Sequence, residues 1–233
     1  MSKNFKFKQF TIWHDKTAMK VGTDGVLLGA WTQNNNPKKI LDIGTGTGLI
    51  AIMIAQRIDA EITAIELDTD AYLQAKQNTR LCKWKNKISV KNISFQEFYQ
   101  ENKINFDLIV CNPPFFENSL KSPNKQRQLS RHTNWLPFEV LIEGVAQIIS
   151  DKGIFSLILP VQSEEKFQNL CKEKSLFCTR KTVVKPNYSK KSKRILLEFS
   201  KNRIETKITT LVIEKERHNY TNEYKKLTEE FYL

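Results

Sequence analysis

The run Asn112-Pro113-Pro114-Phe115 carries the most specific chemistry in this 233-residue chain. The Asn112 side-chain oxygen and the Pro113 carbonyl can each accept one N–H bond, so together they can grip an amino group. An exocyclic amino group on adenine or guanine is a poor nucleophile, because its lone pair is delocalised into the ring. Two acceptors draw that nitrogen towards tetrahedral geometry and aim its lone pair. Pro113 and Pro114 stiffen the turn and limit the entropy lost in holding both acceptors. Phe115 offers a face on which a flipped base can stack. A second constellation lies upstream, in Leu41-Asp-Ile-Gly-Thr-Gly-Thr-Gly48. Gly44, Gly46 and Gly48 let the backbone turn sharply and let a ligand approach with no Cβ in the way. The spacing is one residue shorter than the dinucleotide fingerprint and lacks the Lys-Ser/Thr ending of a phosphate-binding loop, which disfavours a pyrophosphate cradle. Glu66, about 20 residues on, stands where an acid accepts hydrogen bonds from ribose hydroxyls.

These residues need elements to hold them. Residues 39–43, 61–65, 87–91 and 106–110 read as short apolar strands, with helices over 49–57 and over 70–81 behind the cap-like Asp68-Thr69. Residues 138–149 form an amphipathic helix, 153–159 a buried strand and 164–174 a helix. The strands 177–184 and 194–199 flank a basic loop over 185–193. Strands separated by helices argue for a parallel sheet covered on both faces, whereas the last connection is too short for a crossover and makes an antiparallel pair. The expected fold is α/β: a doubly wound, mostly parallel seven-stranded sheet with a terminal antiparallel hairpin. Residues 1–203 form that domain, including an N-terminal arm. Residues 204–233 add a strand near 208–213 and a closing helix over 220–232, packed on the same domain. Thr23 or Asp24 is expected to cap a short helix that carries Val26, Leu27, Leu28 and Ala30.

Hydrophobic residues make up 40% and charged residues 27%, which excludes collagen-like, disulfide-scaffold and strongly disordered chains. The best apolar stretch, residues 49–55, is far shorter than the ~18 residues that span a bilayer, and the N-terminus lacks the apolar core of a signal peptide. Cys82, Cys111, Cys171 and Cys178 form no C-x-x-C pair, and His14, His132 and His218 are dispersed, so no metal site is expected. A cytoplasmic location follows from this pattern. The net charge of +12 is uneven: residues 1–20 hold five lysines and one aspartate, and residues 174–203 hold ten lysines or arginines against Glu198 alone. Two concentrated basic segments on an otherwise near-neutral chain read as a polyanion footprint. Trp84 and Trp135 read as packing residues.

The glycine loop, with Asp42 before it and Glu66 after it, resembles the S-adenosylmethionine site of class I methyltransferases. That resemblance implies cofactor contacts at Asp42, Gly44, Gly46, Gly48, Glu66, Leu67, Ser94, Phe95 and Asn112, with Ser94 standing where an acid usually holds the adenine amino group. It also gives Asn112, Pro113, Pro114 and Phe115 a catalytic role in an in-line methyl displacement on a sulfonium, for which positioning suffices and neither a metal nor a strong base is needed. Phe7-Lys-Gln-Phe10 and Met19-Lys-Val-Gly-Thr-Asp-Gly-Val-Leu-Leu-Gly-Ala-Trp31 resemble the bacterial family that methylates N6 of adenine 37 in a valine tRNA. The likeness runs over residues 6–199 and again over 220–227. It implies tRNA as partner, with no obligatory protein partner evident. Lys185, Lys190, Lys191, Lys193 and Arg194 on the hairpin would hold phosphates, as would Lys3, Lys6 and Lys8 on a mobile arm. Lys121, Lys125, Arg127 and Arg131 lie in a polar stretch, 117–133, expected to order over the anticodon loop. Guanine-N2 methylation of ribosomal RNA and a non-catalytic RNA-binding module on the same fold are the alternatives. Protein glutamine methylation fits less well, and a nicotinamide oxidoreductase is opposed by the glycine spacing.

Overall fold

The computed structural model describes residues 3–17, 19–113 and 136–233. Its central strand is β3 (Lys39–Ile43), in which every residue but Lys39 is buried. Alternation sends Ile40 into one apolar cluster and Leu41 and Ile43 into another, as a strand covered on both faces requires. Parallel to β3 run β4 (Glu61–Glu66) and then β5 (Ile88–Asn92) on one side, and β6 (Phe106–Cys111) on the other. The sheet continues through β7 (Ile149–Pro160), β8 (Phe177–Asn187), β9 (Arg194–Ser200), β10 (Lys207–Glu216) and β11 (Asn219–Tyr220). The order of the nine strands is β11-β10-β8-β9-β7-β6-β3-β4-β5.

The seven strands read from the sequence are all present. β9 inserts between β7 and β8 and runs antiparallel to both. The hairpin is not the sheet's edge, because β10 pairs in parallel with β8 along its outer side and the hydroxyls of Thr182 and Thr209 share a 2.7 Å hydrogen bond. Covering β8 in this way removes a row of unpaired backbone groups.

On one face α1 (Thr23–Trp31) crosses α2 (Leu49–Arg57) so closely that a Cβ on Gly29 would fall 2.8 Å from Met53 Sδ. α3 (Thr69–Leu81) flanks β4 and β5. On the other face α4 (Phe95–Glu101), α5 (Phe138–Ile148) and α6 (Glu164–Glu173) cover the cluster around Phe155, Phe167 and Phe199. The expected cap of α1 is corrected: Gly22 occupies the cap position with no side-chain bond. The Asp24 carboxylate accepts from Arg194 Nε at 2.8 Å instead, tying α1 to the start of β9.

The N-terminal arm is also corrected. β1 (Asn4–Lys6) and β2 (Thr11–Trp13) pair as a small antiparallel sheet. Phe7 stacks on Phe10 at 4.6 Å and on Tyr232 at 5.9 Å, and the Lys8 N–H donates to the Phe231 carbonyl at 2.8 Å. The aromatics between the lysines bury apolar area against the C-terminus, and that outweighs the charge pattern. The closing helix α7 is short (Asn222–Thr228) and starts at Thr221, whose hydroxyl accepts from Tyr224 N.

Candidate active site

β3, β4 and β6 end side by side, and a candidate site residue stands at or just beyond each end. Ile43 pairs with Ile65 and with Cys111, so Gly44, Glu66 and Asn112 come next in line along one edge of the sheet. A crevice outside the carboxyl ends of parallel strands is where open α/β sheets bind ligands. Gly44, Gly46 and Gly48 have φ of +66°, +58° and +80°, which disfavours any residue with a Cβ. The loop is held by Thr45 N–H donating to the Ile65 carbonyl at 3.0 Å, Gly48 N–H to the Thr45 carbonyl at 2.9 Å, and Gly46 N–H to Glu66 Oε2 at 2.8 Å. A Cβ built on Gly44 or Gly46 would meet nothing within 4 Å, so the space beside this backbone is open to a ligand.

Two carboxylates shape the electrostatics. Asp42 is fully buried; its Oδ2 accepts from the Thr45 hydroxyl at 2.5 Å, and its Oδ1 has no partner among the described residues. Burial pushes the Asp42 pKa up to about 7, against the opposing pull of the Thr45 bond, and the charge of Glu66 adds a smaller upward push. Burial also raises Glu66, while the N–H groups of Asp68 and Gly46 on its two oxygens pull it down. The neighbouring Cys111 thiol is held well above its ordinary value, first by burial and then by these two acids, so it is no reactive thiolate.

At the next strand end, Asn92 Nδ2 donates to the carbonyls of Glu66 and Leu67 at 2.8 and 3.1 Å, fixing the turn after β4. Leu67 is 45% exposed at the lip of the crevice, an apolar surface suited to a planar base. The Ser94 hydroxyl caps α4: it accepts from Glu97 N–H and donates to Glu97 Oε2, which leaves one lone pair able to accept from an amino group. The Phe95 ring points into the core, where Gly144 makes room for it, and not into the crevice.

Asn112 is half-buried and makes no side-chain hydrogen bond among the described residues, and Pro113 is buried. Pro114, Phe115, Lys121, Lys125, Arg127, Arg131, His132 and Trp135 lie outside the described residues. On the hairpin, Lys190, Lys191 and Lys193 are exposed and Lys185 is half-buried. Arg194 is engaged with Asp24, and three further cations of the basic segment are paired: Arg180 with Glu198, Lys181 with Glu164 and Lys201 with Asp151.

Two buried amides on α3 were not singled out from the sequence. Asn78 Nδ2 donates to the carbonyls of Trp13 and Thr47, both at 2.8 Å, and its Oδ1 accepts from Trp13 N–H at 2.9 Å. Gln74 Oε1 accepts from Lys16 N–H at 3.2 Å. The signal was available: Gln74 and Asn78, four apart, interrupt the inward stripe of Ala71 and Ala75.

The donor set fits S-adenosylmethionine. The Glu66 carboxylate offers oxygen acceptors of the kind ribose hydroxyls need, and the glycine backbone is open enough to take the tail of the ligand.

Residues 17–135 match the family model described as the methyltransferase small domain. The chain is 49% identical to the tRNA1(Val) (adenine(37)-N6)-methyltransferase of Flavobacterium psychrophilum, covering 98% of this chain and 99% of that one. It is 44% identical to the protein of the same name from Trichodesmium erythraeum, covering 98% and 97%. In fold it is similar to a crystal structure described as a predicted O-methyltransferase, Atu636 from Agrobacterium tumefaciens, with a TM-score of 0.70 and 20% identity over 89% of this chain and 96% of that one. A crystal structure of the M. jannaschii tRNA m1G37 methyltransferase aligns with a TM-score of 0.59 and 18% identity, over 86% and 57% of the two chains. With near-half identity running from end to end, and with the glycine loop and Asn112 set on one sheet edge, this chain belongs to the tRNA1(Val) (adenine(37)-N6)-methyltransferase family of class I methyltransferases.

Proposed function

We propose that this protein moves a methyl group from S-adenosylmethionine to the N6 amino group of adenine 37, beside the anticodon of a valine tRNA, and that it works in the cytoplasm. The observation that carries the reading is the shared strand edge, which sets Asn112 in line with Gly44 and Glu66. Relatives at 44–49% identity named for this reaction support it. The four cysteines, all unpaired, fit a reducing compartment.

When bound, the cofactor supplies a methyl carbon made electrophilic by the adjacent sulfonium. Glu66 anchors the ribose, and the open backbone at Gly44 and Gly46 admits the ligand without a clash. Asn112 Oδ1 and the Pro113 carbonyl take the two N–H bonds of the target amine and turn its lone pair towards the donor. Holding the amine at this edge replaces a bimolecular encounter with a positioned one.

The test is nucleoside mass spectrometry of unmodified valine tRNA after incubation with the protein and S-adenosylmethionine. Asn112→Ala should lower the yield of N6-methyladenosine by about 100-fold or more, while calorimetry shows the cofactor still bound. Methylguanosine in ribosomal RNA as the main product, or an Asn112→Ala variant as active as the parent, would overturn the reading.

A further inference from the structure

We infer that Tyr188, at the tip of the β8–β9 hairpin, stacks on a nucleobase of the single-stranded anticodon loop and so docks the RNA beside Asn112. This rests on the tRNA reading above and names a residue that reading does not require. The hairpin tip projects from the active-site edge. Arg194, the first residue of β9, pairs with Pro160, the last of β7, and β7 is parallel to β6. In sheet order β8 lies three strands from β6, a lateral distance of about 15 Å.

The base of the hairpin is fixed. Lys193 N–H donates to the Val184 carbonyl and Val161 N–H to the Lys193 carbonyl, both at 3.3 Å, and Arg194 is tied to Asp24. At the tip, Asn187 Oδ1 accepts from the Ser189 hydroxyl at 3.0 Å and from Lys190 N–H at 2.9 Å, which sets the turn. On this frame Tyr188 is 63% exposed, with no hydrogen bond or ring contact among the described residues. Around it, Lys190, Lys191 and Lys193 are exposed and make no ion pair among the described residues, unlike Arg180 and Lys181 on β8. One acid of the sheet, Glu214 on β10, stands in register with Asn187, on the side of β8 away from β6.

Lysines that hold a backbone beside an unpartnered aromatic ring match single-stranded RNA, whose unstacked bases turn outward onto such rings. A duplex would offer the lysines phosphates but leave the ring without a partner.

The experiment measures affinity for two RNAs of equal phosphate number. One is the anticodon stem-loop of the valine tRNA and the other a blunt duplex. Tyr188→Ala should weaken stem-loop binding about tenfold and leave duplex binding unchanged, and Tyr188→Phe and Tyr188→Trp should retain the parent affinity. Lys190→Ala with Lys191→Ala should weaken both RNAs and lower the salt slope by about two. Unchanged stem-loop affinity in Tyr188→Ala, or an equal loss on the duplex, would overturn the proposal. Methylation of whole tRNA by the parent protein, assayed alongside, reports on the reaction separately. A normal methyl yield with Tyr188-independent binding strikes only the docking residue, and an absent N6-methyladenosine product strikes the reaction itself.

Discussion

Asp42 is a carboxyl group held where its charge is expensive. It sits inside β3, fully buried, with its Oδ2 bonded to the Thr45 hydroxyl of the glycine loop. A carboxyl whose folded pKa is about 7, above an unfolded value of about 3.9, binds its proton more tightly in the native state. The folded state therefore holds more protons between those limits, and stability falls as pH rises from about 4 to about 7. Asp42→Asn cannot ionise and should escape this loss. Chemical denaturation at pH 5 and pH 8 should show the variant gaining on the parent as pH rises; a difference that shrinks with pH would contradict the burial argument. Glu66 differs because its two oxygens are already served by backbone N–H groups, which a bound ribose would have to share or replace.

At the scale of elements, α3 does more than cover the sheet. Ala75 stands at ordinary van der Waals distance from a Cβ built on Gly48, 3.5 Å, and Asn78 ties the Thr47 carbonyl to the backbone N–H and carbonyl of Trp13. One helix face thus fixes the glycine loop and the N-terminal segment together. Asn78→Ala leaves buried backbone groups without partners and should cost about 2–3 kcal/mol of stability in urea unfolding. The same change should raise the KM for S-adenosylmethionine with a smaller effect on kcat, since Asn112 stands on a different strand. A loss confined to kcat would show that the loop does not depend on this amide.

At the scale of the whole molecule, the two ends of the chain close one apolar cluster. Phe7, Phe10, Tyr224 and Phe231 lie in the same cluster as Leu27, Ile52 and Met53 of the helical layer. The Lys8 side chain donates to the Glu229 carbonyl at 2.6 Å, and Arg57 Nη1 donates to the carbonyls of Gly29, Ala30 and Thr32, binding α2 to the end of α1. Phe231 is 1% exposed, so Phe231→Ala should cost about 3–4 kcal/mol, read as a lowered unfolding midpoint. If the C-terminal segment were only an appendage, the midpoint would not move. The net charge of +12 is likewise a property of the whole chain, but folding reduces how much of it is free. Arg180 is stacked 3.4 Å over Trp31 and bonded to Glu198, so it is a structural cation.

The amino-acid sequence by itself determined the features that depend on residue type and local period. The alternation of apolar strands with amphipathic helices gave the doubly wound sheet, and the G-x-G-x-G run needed its positive φ angles wherever it was placed. Asp68 capped its helix as its position suggested. The positions of Glu66 at the end of one strand and Asn112 just after another were legible too, and a parallel sheet brings such ends together. Only the tertiary structure decided which polar groups were already spent. Nothing local says that Asp24 leaves its helix cap for Arg194, 170 residues away. Nor does any local pattern say that the N-terminal aromatics bury themselves against Tyr232, or that Asn78 clamps the loop. Each of these is a long-range choice among competing partners, and such a choice is settled by burial and packing once the chain has closed on itself.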